Sequence, residues 1–386
     1  MAETATASTS TDSEMATYAN SRQGGAWPKA VRYWLLLGLI MLLGQVVIGG
    51  ITRLTESGLS ITEWEPITGA IYPSSEAEWQ EEFAKYQASP QYEKIFAGMS
   101  MEDFQFIYFW EWFHRQWARI MGLVFVIGFV YFSYKGYFNR RAYRWLGTIV
   151  LLAALAASFG WIMVASGLED RPWVNAYKLT MHLSVALTAF SALLWFSFKV
   201  WQPKLTGFPH QSLKKPTIVL TTVVLVQIIL GGIMSGARAA LAFPTWPDMG
   251  GRFIPEVLTR GEMWTVENLV EYERTAFQPA LVQFSHRMTA YLLVIIGLWY
   301  VFRALKQLVS PYYRRAVYLL ISVLSVQVLL GILTLINSQG EVPVALGVAH
   351  QAMAVILLTV VLYLNYSIWP GPSLQTVDNS VENLQN

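Results

Sequence analysis

Cysteine is absent from the 386-residue sequence, and charged residues make up only 13% of it. Without cysteine the chain has no disulfides, zinc–thiolate sites, iron–sulfur clusters or thiol nucleophile. A net charge of +2 with no basic stripe gives no indication of a nucleic-acid partner. Hydrophobic residues make up 54% of the chain, which indicates a protein that crosses the lipid bilayer several times.

Apolar runs long enough to cross a bilayer as helices recur eight times along the chain. They fall at 31–52, 112–134, 145–166, 177–199, 217–237, 281–303, 315–336 and 344–368. We therefore predict an all-α membrane protein with eight transmembrane helices.

The charges of the connecting segments predict an orientation. The connections 135–144, 199–216 and 303–315 each hold four Lys or Arg and no Asp or Glu, whereas 55–111 holds eleven Asp or Glu. Positive connections stay in the cytoplasm, so the N and C termini are expected there. The N-terminal segment is rich in Ser and Thr and carries acidic residues, which is unlike a transit peptide and favours a bacterial plasma membrane.

Sequence similarity between the two parts of the chain indicates a duplication. Gly44–Ile51 in the first helix resembles Val226–Ile233 in the fifth, and both contain Gln followed by Gly-Gly. The simplest architecture is two duplicated four-helix bundles. The expected divisions are a disordered cytoplasmic tail 1–30, an N-terminal half 31–200 with an outer loop 53–111, a cytoplasmic linker 201–216, a C-terminal half 217–368 with an outer loop 238–280, and a cytoplasmic tail 369–386. Residues 70–105 are expected to form an outer amphipathic helix.

Four of the five histidines share a depth near the outer ends of the even-numbered helices. These are His114, His182, His286 and His350, spaced 68 residues apart in the first half and 64 in the second. Facing pairs of neutral imidazoles are suited to axial ligation of haem iron. Structural packing of single histidines and proton relay remain alternatives. His210 falls in a cytoplasmic loop and is expected to be solvated.

A charged motif stands at the start of the second apolar run. Glu111, His114 and Arg115 lie at i, i+3 and i+4, so a helix places them on one face. The sixth run has Gln283 where the second has Glu111, followed by His286 and Arg287. Glu111 could move protons or stabilise developing positive charge, or it could be a solvated carboxylate at the membrane surface. The two arginines suit haem propionates or lipid phosphates.

These motifs, with the outer segments Gly49–Gly69 and Phe243–Pro255, resemble the haem A synthase family, and in particular its cysteine-free members of the mitochondrial and proteobacterial type. The resemblance covers residues 34–366. It implies an oxidoreductase that converts the C8 methyl of the substrate haem O to a formyl group, with oxygen from water and electrons passed to an acceptor. It also implies a haem O synthase and cytochrome oxidase assembly factors as partners, and a possible homo-oligomer.

The resemblance implies a division of labour between the halves. His286 and His350 would ligate the iron of a resident haem b, with Arg287 and Arg115 as cofactor-binding residues. His114 and His182 would ligate or border the haem O iron, and with Glu111 they would be the catalytic residues.

Two other functional classes share some of these features. A dihaem b-type membrane electron-transfer protein would have the four histidines, but it would not require Glu111 in one half only. A transporter would share the internal repeat, but four helices per half make that repeat parallel, and transporter repeats are often inverted.

Overall fold

A computed structural model describes residues 27–63, 68–168, 172–201, 211–307 and 310–368. Most of the predicted tail 1–30, most of the linker 201–216 with His210, and the tail 369–386 lie outside the described residues. The described secondary structure is helical throughout.

Eight of the described helices are long and apolar enough to cross a membrane. We number them α1 (Lys29–Leu54), α2 (Met101–Tyr134), α3 (Arg140–Leu168), α4 (Ala176–Trp201), α5 (Gln211–Gly236), α6 (Phe277–Leu305), α7 (Pro311–Ile336) and α8 (Val344–Ile368). The prediction of an all-α membrane protein with eight spanning helices is confirmed. We call α1–α4 the first half and α5–α8 the second half, and their duplication as two bundles stays a prediction.

The second spanning helix begins eleven residues before its predicted start at 112. The Ser100 hydroxyl accepts a hydrogen bond from the Asp103 N–H at 3.1 Å, and acidic residues occupy the first turn. Both features favour a helix start because they satisfy and complement the exposed N–H groups. The last part of the predicted outer loop, 101–111, is therefore helical. It adds about three helical turns to α2 before the apolar run begins.

The outer segment before α2 contains two short helices, so the single amphipathic helix predicted over 70–105 is wrong. One spans Glu76–Gln87 and the other Pro90–Lys94. Ser75 and Ser89 cap their N-termini. Pro90 has no backbone N–H to donate, so the first helix cannot continue through it. Buried aromatic rings fasten this segment to the start of α2, since Tyr86 stacks on Phe104 with ring centroids 5.2 Å apart.

The two halves meet along α1, α4, α5 and α8, whereas α2, α3, α6 and α7 lie on the outside. Glycines allow the inner helices to approach closely. Gly50 of α1 faces Gln351 of α8, whose side-chain amide donates to the Val46 carbonyl at 2.8 Å. Gly232 of α5 faces Thr180 of α4 in the same way.

Ionic contacts join the halves at the end where the long connections 55–100 and 237–276 lie, which we call the loop end. The Arg53 guanidinium donates to the Ser235 carbonyl at 2.7 Å, so a side chain of α1 binds the C-terminal turn of α5. Glu56 forms an ion pair with Arg238, whose guanidinium also lies over the Trp173 ring. These contacts fix the outer connections of the two halves to each other.

The contact between Gly236 and α4 predicts a specific destabilisation. A Cβ added at Gly236 would lie 2.5 Å from the Cα of Ala176, a backbone atom that cannot move aside without shifting a helix. We expect Gly236→Ala to lower the free energy of unfolding by about 1–3 kcal/mol. The measurement is thermal or denaturant unfolding of the protein in detergent.

Gly147→Ala is the matched control, because an added Cβ there meets nothing within 4 Å. Equal stability of the two variants would contradict the close packing of α5 on α4.

Candidate functional site

The four predicted histidines lie on α2, α4, α6 and α8, all toward the loop end. His114 interacts electrostatically with His182, and His286 with His350, so each half brings one pair together. The pairing that the sequence predicts is therefore present in the structure.

Hydrogen bonds to the imidazoles come from the odd-numbered helices. His182 Nδ1 lies 2.8 Å from the Ala156 carbonyl, and His350 Nδ1 lies 3.1 Å from the Gln327 carbonyl. A carbonyl only accepts, so in both rings Nδ1–H donates and the lone pair is on Nε2. Gln45 and Gln227 donate from their amides to Nε2 of His114 and His286, at 2.8 and 3.1 Å. The Nε2 lone pairs of His114 and His286 therefore accept from glutamine amides, and the Gln327 amide lies 3.4 Å from Nε2 of His350. A metal ion bound at these nitrogens would have to replace those contacts.

One glycine lies against each histidine. Gly49 faces His114, Gly160 faces His182, Gly231 faces His286 and Gly331 faces His350. A Cβ on any of these glycines would come within 2.9–3.3 Å of the imidazole. The glycines therefore let each odd-numbered helix approach its histidine closely, and any larger residue would push the ring or the helix away.

These surroundings fit a haem held by two imidazoles in each half. The donor set is a pair of imidazoles in each half, and the described residues bring no three His, Asp or Glu side chains together as a metal site. The buried Oε1 atoms of Gln45, Gln227 and Gln327 accept no hydrogen bond from the protein. Such groups normally have a partner, which a bound molecule or water would supply.

Glu111 lies in a closed network beside the first histidine pair. Its side chain is buried, with 3% of the residue exposed. One carboxylate oxygen accepts from the Ser60 hydroxyl at 2.8 Å and the Ile61 N–H at 2.9 Å, and the other accepts from Arg115 at 2.5 Å. Arg115 also donates to the Ile61 carbonyl. The alternative of a solvated carboxylate at the membrane surface is therefore wrong.

The corresponding positions of the second half hold a different network. The Gln283 amide donates to the Phe243 carbonyl at 2.9 Å. Arg287 donates to the carbonyls of Phe243, Thr245 and Asp248 at 2.7–3.0 Å. In each half, the residue three before the histidine and the residue after it bind the segment that follows α1 or α5. Only the first half uses a carboxylate for this.

The second-half loop contains a stabilised carboxylate of its own. The Gly251 N–H and the Thr245 hydroxyl donate to the Asp248 side chain, and they lower the pKa of that carboxyl. Asp248 therefore stays ionised at neutral pH and holds together the turn whose carbonyls bind Arg287.

The two arginines donate to loop carbonyls in the structure. Their expected contact with haem propionates stays a prediction. The glutamine partners of the histidines and the role of Ser60 were missed by the sequence reasoning. The available signal was the spacing Gln45-x-x-x-Gly49, repeated from Gln227 and Gln327, because residues four apart share one helix face.

The Glu111 network predicts a large effect of a small change. Glu111→Gln leaves the Arg115 charge without its counter-ion in a largely buried site, and breaking such a pair costs about 3–5 kcal/mol where burial is complete. Since the Arg115 side chain is 15% exposed, we expect a loss nearer about 2–3 kcal/mol of unfolding free energy. Denaturant unfolding in detergent measures it.

Ser60→Ala is the control because it removes one hydrogen bond from an uncharged donor to the other carboxylate oxygen and is expected to cost about 1–2 kcal/mol. A smaller loss for Glu111→Gln than for Ser60→Ala would contradict the assignment of a structural ion pair.

Comparison with known proteins identifies the family of this chain. The model of the COX15-CtaA family, described as cytochrome oxidase assembly protein, matches residues 32–362. A protein of Nitrosospira multiformis named Heme A synthase is 39% identical over 345 residues, covering 88% of this chain and 94% of the relative. Proteins of the same name from a Chelativorans species and Bradyrhizobium diazoefficiens are 41% and 39% identical, covering 88% and 86% of this chain and 90% and 89% of theirs. The chain belongs to the COX15-CtaA family.

Proposed function

We propose that this chain is a haem A synthase, an oxidoreductase that converts the C8 methyl group of haem O to a formyl group. The observation that carries the proposal is the alignment of relatives named Heme A synthase over 85–88% of the chain, with a family match that includes both histidine pairs. In the balanced reaction the methyl group and one water give the formyl group, four protons and four electrons. The electrons pass to an acceptor.

The second pair, His286 and His350, would hold a resident haem b. When bound, that group supplies one-electron relay between the substrate and the acceptor. The support is the placement of both rings, with Gly231 and Gly331 against them and one glutamine amide beside each ring. Gln227 and Gln327 would keep the imidazoles in place and in one tautomer.

The first pair, His114 and His182, would hold the iron of haem O and so fix the macrocycle against the catalytic groups. Glu111 would then provide a fixed negative charge near the methyl carbon as that carbon loses electrons. Its three hydrogen-bond donors hold the side chain in one orientation. Because both oxygens are occupied, we favour charge stabilisation over proton shuttling as its role.

The arginines would bind anionic groups of the haems. Arg287 has the neutral Gln283 one turn before it, whereas Arg115 has the carboxylate of Glu111. The absence of a directly paired carboxylate favours a propionate at Arg287 more than at Arg115. Arg115 would chiefly couple the segment at Ile61 to Glu111.

The cellular setting is also part of the proposal. The positive connections support cytoplasmic termini, with the haem sites near the outer face of a bacterial plasma membrane. A haem O synthase would supply the substrate, and cytochrome oxidase assembly factors would receive the product. A homo-oligomer is compatible with the broad apolar surface of α2 and α3.

Co-expression with a haem O synthase tests the function and the division of labour together. We expect extracted pigment to contain haem A with the unchanged chain. Glu111→Gln and His182→Ala should lower haem A at least about a hundredfold while keeping the resident haem, whereas His286→Ala and His350→Ala should lose that haem. Mass analysis of pigments and the absorption spectrum of the purified protein are the two measurements.

His210→Ala is the control histidine and should leave both readouts unchanged. Accumulation of unmodified haem O by a folded, haem-loaded chain would refute the synthase function. Loss of the resident haem in His182→Ala but not in His286→Ala would reverse the assignment of the two sites.

A further inference from the structure

The two halves differ in how their outer helices pack. In the second half, α6 and α7 lie side by side. Leu324 of α7 is 2% exposed and packs on Gly297 of α6, where an added Cβ would come within 2.7 Å of it. Leu293 and Tyr300, one turn to either side of Gly297, are also buried. This side of the second half is closed to lipid.

In the first half, α2 and α3 do not pack side by side over their described lengths. Phe125 is the eleventh residue after His114, as Gly297 is after His286, and Ala153 precedes Gly160 by seven residues, as Leu324 precedes Gly331. Ala153 is exposed. Phe125 turns toward α1 instead, with its ring 5.2 Å from that of Trp34. The contact that closes the second half is therefore missing here.

A gap therefore separates α2 from α3. It is bounded by residues 121–129 of α2 and 150–158 of α3, and we call it the lateral window. Away from the loop end, aromatic rings close it, since the Phe129 and Tyr143 centroids are 5.9 Å apart. At the loop end, Leu59 packs on Gly167 of α3, where an added Cβ would lie 2.8 Å from the leucine. Between these two contacts neither 121–129 nor 150–158 contains a buried residue.

The window lies next to the first histidine pair. The Ala156 carbonyl accepts the hydrogen bond from His182, and Ala153 lies about one turn along α3 from it. Ala156 also occupies the position that Gln327 holds in the second half, where the amide contacts His350. A small apolar residue thus replaces a long polar one where the window meets the site.

The lining of the window is apolar. Neither 121–129 nor 150–158 contains a charged residue, and the largest polar side chain is that of Ser158. Its hydroxyl donates to the Ala154 carbonyl within α3, so its proton is already used inside the helix. Such a surface suits a hydrocarbon chain and offers nothing to a polar ligand.

We propose that the lateral window holds the isoprenoid chain of the substrate haem, and that the substrate enters the first half from the lipid through it. This inference rests on the proposed function, in which the first half binds a haem with a farnesyl-derived chain and the second half binds a haem without one. The structural difference follows that chemical difference: the half with a chain to accommodate is open, and the half without one is packed shut.

Ala153→Leu tests the proposal, since it places in the window the side chain that closes the second half. The purified protein with its resident haem is titrated with haem O and, separately, with protohaem, which has the same macrocycle without the isoprenoid chain. Absorption changes give the two affinities. We expect haem O to bind at least about tenfold more weakly and protohaem to bind within about twofold of its affinity for the unchanged protein.

Thr148→Leu is the matched control, because Thr148 is exposed on α3 outside the window and its second-half counterpart is the exposed Leu319. It should leave haem O affinity unchanged. If Ala153→Leu loses the resident haem spectrum, Ala157→Leu takes its place, since Ala157 is exposed one turn along the same face.

Unchanged haem O affinity in the window variants would overturn the proposal, and so would an equal loss of haem O and protohaem. The proposed function fails separately, by the absence of haem A from cells that make haem O. A chain that binds haem O through the window but forms no haem A would refute the function and leave the window assignment intact.

Discussion

The close contact between a glycine and an imidazole is the constraint on which the rest of the structure depends. Each histidine needs a neighbouring helix near enough to orient its ring by a carbonyl or an amide, and only glycine leaves that space. The same glycine-rich turns continue into Gly50 and Gly232, which bring the two halves together. Helix spacing, ring orientation and the contact between halves are thus consequences of one short sequence pattern.

The two halves share this frame and differ where chemistry would require it. Glu111 and Arg115 form an ion pair, whereas Arg287 donates to backbone carbonyls of the turn that contains Asp248. Ala153 and Ala156 replace Leu324 and Gln327. The second half is consequently the more tightly packed of the two, as the proposed division between a retained and an exchanged haem requires.

The sequence was sufficient for the helix count and the histidine pairs because both depend on strong local signals. Apolar runs of membrane length define the spans, and histidines at one depth are conspicuous among them. The start of α2 was misjudged because a capping serine and a polar first turn extend the helix beyond the apolar run. The helix predicted over 70–105 failed because Pro90 interrupts it, a stop that the amphipathic pattern concealed.

Long-range contacts were beyond the sequence for a physical reason. That Ser60 and Ile61 donate to Glu111 depends on how the segment after α1 folds back over α2, and no periodicity encodes that path. The lateral window was even harder to predict from the sequence, because Phe125 and Ala153 are ordinary apolar residues of membrane helices. The missing contact between them is recognised only by comparison with Gly297 and Leu324, which the structure shows in contact. An internal repeat is therefore most informative at the positions where its copies disagree.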